Sequence, residues 1–403
     1  MKRFFLLFLL PALLFCTAGC WNRHEPEELA LVVHLGFDVD KKTGEFKAMA
    51  RIADPQKQTG LENSGGGGNE KSFYVLTAQG RTPFEAVNNL TSKSSRKIDR
   101  THTEVLLISE ELASQGIYPL LDFLDRERQI RLIINPFVVK GNIEMLIDTK
   151  FPAEDVGGRI LTRLMRFIFR EKATTRPVMA REVVVALSRP GQELLLPRIL
   201  VMEKEDGSGV QKEYPIYLSG LAVFHKDKLK GYLNDKESRG CNWINNRITR
   251  VTYVLVSPTE GKGIESGDVS AAVGKETATL EVFRTGTELK AEVNGENVKI
   301  IVEIKAEGHV QEVITEDQWL SDDSSLIASL NRRLAEAIRD DVRAALDKAQ
   351  KEYKSDVFGF GNLIYRTLPR EWARLEPRWE EIFPRVEVEV LVEGNARRSG
   401  LIK

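Results

Sequence analysis

The chain has 403 residues, 42% of them hydrophobic and 29% charged. That is the balance of an ordinary globular protein, with length enough for two or three cores. Its 58 basic and 59 acidic residues give a net charge of -1, which excludes the overall positive field that nucleic-acid binding needs, and its 3 cysteines exclude a disulfide-stapled scaffold.

The first twenty residues read as a leader. Met1-Lys2-Arg3 is a positive start, and Phe4 to Phe15 is an apolar run of 12 residues broken by Pro11. As a helix this run reaches about 18 Å, short of the roughly 30 Å of a hydrocarbon core. A cleaved signal peptide over residues 1–19 is therefore expected. Thr17-Ala18-Gly19-Cys20 resembles the lipobox of bacterial lipoproteins, with Thr17 where Leu is usual. The Cys20 thiol is the nucleophile that takes the diacylglyceryl group, so Cys20 is the expected lipidation site. Stable anchoring needs two or more acyl chains. The alternative is an ordinary signal peptide with an incidental cysteine. Cleavage before Cys20 removes Lys2 and Arg3, leaving 56 basic and 59 acidic residues, a net of -3. No later segment is apolar enough to span a membrane, so the rest is expected to be soluble and tethered.

The mature chain alternates strand and helix signals. Leu29–Val39 reads as a strand, Asp40-Lys41-Lys42-Thr43-Gly44 as a turn, and Phe46–Ala53 as its partner. Residues 54–71, with Gly65 to Gly68 at their centre, read as a flexible loop. Ser72–Ala78 resumes as a strand. Thr82-Pro83-Phe84-Glu85 is a helix start with a capping box, and Phe84, Val87, Leu90 and Thr91 share one face. Glu104–Ser109 is a strand, Glu110–Leu124 a helix and Arg131–Val139 a strand. Further on, Ile160, Leu161, Leu164 and Ile168 form a helical stripe. Leu194–Met202, Tyr214–His225 and Val251–Val256 read as strands, the first two joined by a turn at 206–209.

A Gly/Ser-rich stretch at 261–267 marks a boundary. Beyond it, strands are expected at Ala278–Val282, Leu289–Val293 and Val298–Ala306. The longest helix signal runs from Ser324 to Tyr353, with Leu326, Leu330, Leu334, Ile338, Val342, Leu346 and Ala349 recurring every three or four residues. That spacing suits a helix lying on a sheet better than a coiled coil. Val386–Val392 is the last strand. The expectation is an α+β protein of three mixed α/β domains, each a β-sheet packed with helices, over residues 20–150, 151–265 and 266–403. No internal repeat is evident.

Motifs for chemistry are sparse. A phosphate-binding loop needs Gly directly before Lys71-Ser72, and Glu70 stands there. His24, His34, His102, His225 and His309 show no metal-ligand spacing, and there is no CxxC pair. His102 reads as a local hydrogen-bonding residue, and Cys241 as a small buried apolar one. Trp372 and Trp379 read as core, Asp322-Asp323 and Glu380-Glu381 as solvated helix positions. Arg96-Lys97, Arg100 and Arg397-Arg398 read as solvated surface, with contact to a partner or to lipid headgroups as the second reading. No catalytic, metal or cofactor site is therefore expected.

Several stretches resemble the GerC-type spore germination lipoproteins. Gly19-Cys20-Trp21-Asn22-Arg23-His24-Glu25 is similar to the start of their mature chains, although an acid is common where Asn22 stands. Leu35-Gly36-Phe37-Asp38 resembles their first strand. Ser94-Ser95-Arg96-Lys97 and Thr101 to Ile108 resemble a helix-to-strand passage. Leu218 to Phe224, Lys226-Asp227-Lys228-Leu229, Gly231 and Glu237-Ser238-Arg239-Gly240 resemble their middle block. Asp356 to Gly361, Trp372, Trp379, Ile382-Phe383-Pro384 and Arg397 to Gly400 resemble their C-terminal block.

The resemblance implies a receptor subunit held by lipid on the outer face of the spore inner membrane. It implies A and B subunits as partners, a role in nutrient-triggered germination, a fold of three mixed α/β domains, and no enzymatic activity. A lipid-anchored solute-binding protein is the alternative. A lipid-anchored hydrolase would need a pocket gathering Cys241 or His102 with carboxylates. Glycines at 220, 240, 359 and 361 read as turn positions first and contact sites second.

Overall fold

The computed structural model describes residues 28–53, 73–149, 151, 159–202, 216–256, 277–314 and 324–398. The leader, Cys20, the Gly65–Gly68 run, the turn at 206–209, the stretch at 261–267 and Asp322-Asp323 lie outside the described residues.

β1 (Leu29–Val39), β2 (Phe46–Ala53) and β3 (Phe73–Gly80) are antiparallel neighbours. The turn after β1 closes where expected: Asp40 N donates to Glu45 O at 2.8 Å, and the Asp40 carboxylate accepts from Lys42 N and Thr43 N at 2.8 and 3.0 Å. α1 (Pro83–Asn89) starts at Thr82, whose hydroxyl accepts from Glu85 N at 3.1 Å. The capping box is one-sided, because the Glu85 carboxylate takes Arg81 N instead, at 2.9 Å. The buried face is Pro83, Ala86, Val87 and Leu90. Phe84 is 57% exposed, which corrects the expected face: it stands beside the sheet with its ring edge-on to Phe123.

β4 (Lys97–Asp99) and β5 (Val105–Ser109) run parallel to β1. The single helix expected next is two, α2 (Glu110–Gln115) and α3 (Tyr118–Arg126). Gly116, at φ 133°, breaks the first, and Pro119 occupies the first turn of the second, where its missing N–H costs nothing. β6 (Asn135–Lys140), α4 (Ile143–Asp148), α5 (Ile160–Lys172), α6 (Ala180–Ser188), β7 (Leu195–Val201), β8 (Ile216–His225) and β9 (Lys228–Leu233) follow. The nine strands form one sheet in the order β3-β2-β1-β5-β6-β7-β8-β9, with β4 beside β1.

The central strands are parallel and buried on both faces, which explains their unbroken apolar runs. Leu106 and Ile108 of β5 face α1, α2, α3 and α6. Val105 and Leu107 face α4 and α5. Each such side chain adds roughly 2 kcal/mol of burial.

α7 (Asp235–Ile244) leads to a second, four-stranded sheet in the order β10-β11-β12-β13. Its strands are β10 (Val251–Val256), β11 (Thr277–Asn294), β12 (Asn297–Ile314) and β13 (Glu387–Arg398). β11 joins two expected strands into one of 18 residues. Pairing with β12 runs unbroken through the polar stretch from Arg284 to Asn294, after register shifts near Thr279 and Val282. Ile300, Val302, Ile304 and Ala306 are buried while Lys299, Glu303 and Lys305 face outward, the alternation of a one-sided sheet. α8 (Ser324–Leu346) covers the buried side and ends in a π-helical turn, Asp347–Tyr353. Leu330, Leu334, Ile338 and Val342 are fully buried beneath it, so the helix lies on a sheet as its spacing requires. α9 (Phe360–Thr367), α10 (Pro369–Leu375) and α11 (Trp379–Ile382) complete the chain before β13.

The protein is thus mixed α/β with two sheets. Residue 150 falls between β6 and β7, which are neighbours in one sheet. Residue 265 falls between β10 and β11, which pair along their length. Leu195, Leu221 and Val223 of the first sheet share a core with the second sheet and α8. No helix among the described residues is long and apolar enough to cross a membrane.

Candidate functional site

The segment between α8 and α9 is built around Asp356, which is 3% exposed. Its carboxylate accepts from Gly359 N, Phe360 N and Gly361 N at 2.9, 3.0 and 2.8 Å, and from Trp379 Nε1 at 3.1 Å. The three amides are the open donors of the α9 start. Gly359, at φ 74°, holds the left-handed conformation that turns them inward. Burial pushes the Asp356 pKa up to about 6, against the pull of its four donors.

This turn is sewn to the loop before β7. Glu193 N donates to Asp356 O and Asn362 N to Gly191 O, both at 2.9 Å. A Cβ on Gly361 would stand 2.7 Å from Gly191 Cα and 2.8 Å from the Trp372 ring, so the close approach requires glycine. Ser355 Oγ reaches back to Phe224 O at 2.5 Å.

A cleft of about 770 Å³ opens beside this junction. Its walls are α3, the C-terminal end of α6, the β8–β9 turn and the helices α10 and α11. Trp372 and Trp379 meet edge to face at 5.4 Å on one wall. Both are more than 90% buried, as the core reading expects, and both also line the cleft. Glu380 is not merely solvated: it pairs with Lys226 at 3.0 Å.

His225 Nδ1 stands 3.0 Å from Glu193 Oε1, and Nε2 lies 3.6 Å from Glu380 Oε1. The Nδ1 contact is an ion pair in distance, without a well-aligned hydrogen bond. Glu193 is the main reason the His225 pKa lies above its ordinary 6.5; partial burial opposes it and Glu380 assists. A raised histidine pKa adds stability that is fully present below pH 6.5 and is lost as pH rises through the higher, folded value. The NMR titration midpoint of His225 should therefore exceed 6.5 and fall toward it in Glu193→Gln. An unmoved midpoint in that variant would remove Glu193 as the cause.

Of the residues singled out from sequence, Trp372, Trp379 and Glu380 meet at this cleft, while the candidate nucleophile and base, Cys241 and His102, do not. Cys20 lies outside the described residues. Cys241 is fully buried in the core, where desolvation pushes its thiol up to about 12. His102 is exposed near Thr101 and Asp99 and does not line the cleft. The pocket a hydrolase would need, with Cys241 or His102 among carboxylates, is not formed among the described residues. No group of three His, Cys, Asp or Glu that could hold a metal occurs among them either. Arg100 pairs with Glu127 and Arg397 with Glu307. His225 and Glu193 escape sequence reasoning because they are distant in the chain from each other and from Glu380. The one local signal is Asp356-Val-Phe-Gly359, the pattern of a side chain capping a glycine turn.

Two family models together cover most of the chain. Residues 22–201 match the spore germination protein N-terminal domain, and residues 219–400 match the spore germination B3/GerAC-like C-terminal domain. The chain belongs to this family of GerC-type spore germination proteins. It is similar to the putative spore germination protein YfkR of Bacillus subtilis, 27% identical over 97% of this chain and 96% of that one. Spore germination protein KC of the same organism is 26% identical over 95% and 92%. The crystal structure of the GerBC protein superposes with a TM-score of 0.53 at 18% identity, over 91% of this chain and 97% of the other. That likeness concerns the fold. The cleft takes its walls from both matched segments.

Proposed function

We propose that this chain is the lipid-anchored C subunit of a nutrient germinant receptor, without catalytic activity of its own. It is held through Cys20 on the outer face of the spore inner membrane and works there with an A and a B subunit in assembly or signal relay. The observation that carries this is family membership along nearly the whole chain, beside the lipobox-like Thr17-Ala18-Gly19-Cys20. A thioether lipid concentrates the folded chain at the membrane and raises its effective concentration for partners there.

Labelled palmitate should enter the wild-type protein and not Cys20→Ala. The variant should leave the membrane fraction, and its spores should respond weakly to a subset of single nutrients while a non-nutrient trigger still works. Unlabelled wild-type protein would refute the anchor, and an undiminished response to every nutrient in a deletion strain would refute the receptor role.

One observation favours a second reading, a lipid-anchored solute-binding protein. The cleft has an aromatic wall, and the buried Trp372 Nε1 has no hydrogen-bond acceptor. Calorimetry of the chain from residue 20 onward against a nutrient panel decides it, since heat of binding for one nutrient would favour this reading over relay alone.

A further inference from the structure

The 13-residue helix α5 is amphipathic with an unusual outer face. Leu161 and Met165 are buried against the first sheet, with Ile160, Leu164 and Ile168 packed beside them. At about 100° per residue, Arg159, Arg163, Arg166, Phe167 and Arg170 fall within an arc of about 100° on the opposite side. All five are exposed, and Phe167 is 64% exposed. The arc holds no acidic residue; Glu171 lies beyond its edge and Lys172 on another side. Arg170 also suits the negative end of the helix dipole. Arg166 is too far from that end to be explained so. An exposed Phe among arginines is the composition of a helix that lies on an anionic interface.

The position of α5 agrees with this. Arg159, at its start, pairs with Glu104 at 2.6 Å. Glu104 N in turn donates to Val33 O of β1 at 3.1 Å. The start of α5 is therefore beside the strand through which the chain enters the fold. The nine residues from Cys20 to Leu29 can span at most about 30 Å. A lipid on Cys20 would hold Leu29, the start of β1, within that distance of the bilayer, and Val33 lies four residues further along the same strand.

We propose that the Arg159–Arg170 face of α5 docks on anionic lipid headgroups, with Phe167 entering the interface, and so sets the orientation of the chain on its membrane. The tether argument rests on the lipid anchor proposed above; the charge and exposure of the face do not. The test therefore separates the two. Every core residue named above lies at or beyond residue 30, so the chain from residue 20 onward with Cys20→Ser carries the whole described fold without lipid. It should bind vesicles containing phosphatidylglycerol better than phosphatidylcholine vesicles, and lose that preference in high salt. An arginine near an anionic surface is worth about fivefold in binding. Arg166→Gln with Arg170→Gln should therefore weaken binding about 25-fold, with an unchanged melting curve.

A second measurement places the face directly. In the lipidated protein, a polarity-sensitive dye on Phe167→Cys should shift to the blue on anionic vesicles, the Cys241 thiol being buried and unreactive. Equal binding to both vesicle types, or a dye that stays in water, would overturn the proposal and leave the face to an acidic protein partner.

Discussion

Gly240→Ala is expected to cost at least about 3 kcal/mol of folding stability, above the usual range for an added methyl. A Cβ at this position would stand 1.9 Å from Asp341 O, 2.4 Å from Asp341 C and 2.9 Å from Val342 N. These are backbone atoms of α8, so no rotamer change relieves the clash, and α7 and α8 must separate. Separation would pull apart the network that joins them. Arg239 donates to both Asp341 oxygens at 2.6 and 3.0 Å, Tyr253 Oη donates to Asp341 at 2.6 Å, and Trp243 Nε1 donates to Tyr253 Oη at 2.8 Å. Asp341 is 2% exposed. A buried carboxylate stripped of partners costs about 3–5 kcal/mol by itself. Denaturant midpoints measure the loss. Gly286→Ala is the control: nothing lies within 4 Å of its added Cβ, and its change should stay within about 0.5 kcal/mol. A Gly240→Ala midpoint no lower than the control's would show that the helices yield freely here. In spores the variant should behave as a partial deletion, since a loss of this size lowers protein abundance.

Much of the fold was legible wherever the signal was local. β1, β2 and the turn between them lie where an apolar run, an Asp-Lys-Lys-Thr-Gly break and a second run put them. The long helix was legible from the spacing of Leu330, Leu334 and Ile338. What was not legible was set by distant neighbours. α6 carries Val183-Val184-Val185, which favours a strand by propensity, yet tertiary packing makes it a helix. α7 contains Gly240 and many polar residues, and only its fit against α8 shows why.

The middle of β11 seemed a break because Arg284 to Glu288 is polar. Two threonine side chains fasten it to the chain before β10: Thr285 Oγ1 donates to Ile248 O, and Thr287 Oγ1 to Trp243 O at 2.8 Å. The joining of β6 to β7 needs pairing information that one sequence does not hold. The cleft is the same case: Glu193, His225, Asp356 and Glu380 come from four separate segments, and only Asp356 has partners at a local spacing.

Asp356→Ala should be nearly as damaging as Gly240→Ala, by a different route. It leaves the Gly359, Phe360 and Gly361 amides and the Trp379 indole N–H buried without an acceptor. Each orphaned donor costs about 1–3 kcal/mol, so a loss on the order of 4 kcal/mol is expected even if water replaces some bonds. Asp356→Asn separates charge from hydrogen bonding. Its one carbonyl oxygen can serve two donors, while its NH2 group faces the others, so a smaller loss is expected.

The pH dependence has a definite sign. Asp356 titrates at about 6 in the folded chain, against an ordinary 3.8. The folded state holds the proton more tightly, so this group contributes stability that is complete below about pH 3.8 and is lost as pH rises through 6. The difference amounts to at most about 3 kcal/mol. His225, with its raised pKa, loses its contribution in the same direction at higher pH. The Asp356→Asn variant keeps no such titration. Its stability deficit relative to wild type should therefore shrink between pH 4 and pH 7. Denaturation midpoints at those two values measure it. A deficit that grows toward neutral pH would mean that the four donors outweigh burial and that Asp356 is ionised well below 6. In either outcome the side chain holds the turn that brings Trp372 and Trp379 to the cleft, so the variant should also change their fluorescence before it changes helix content.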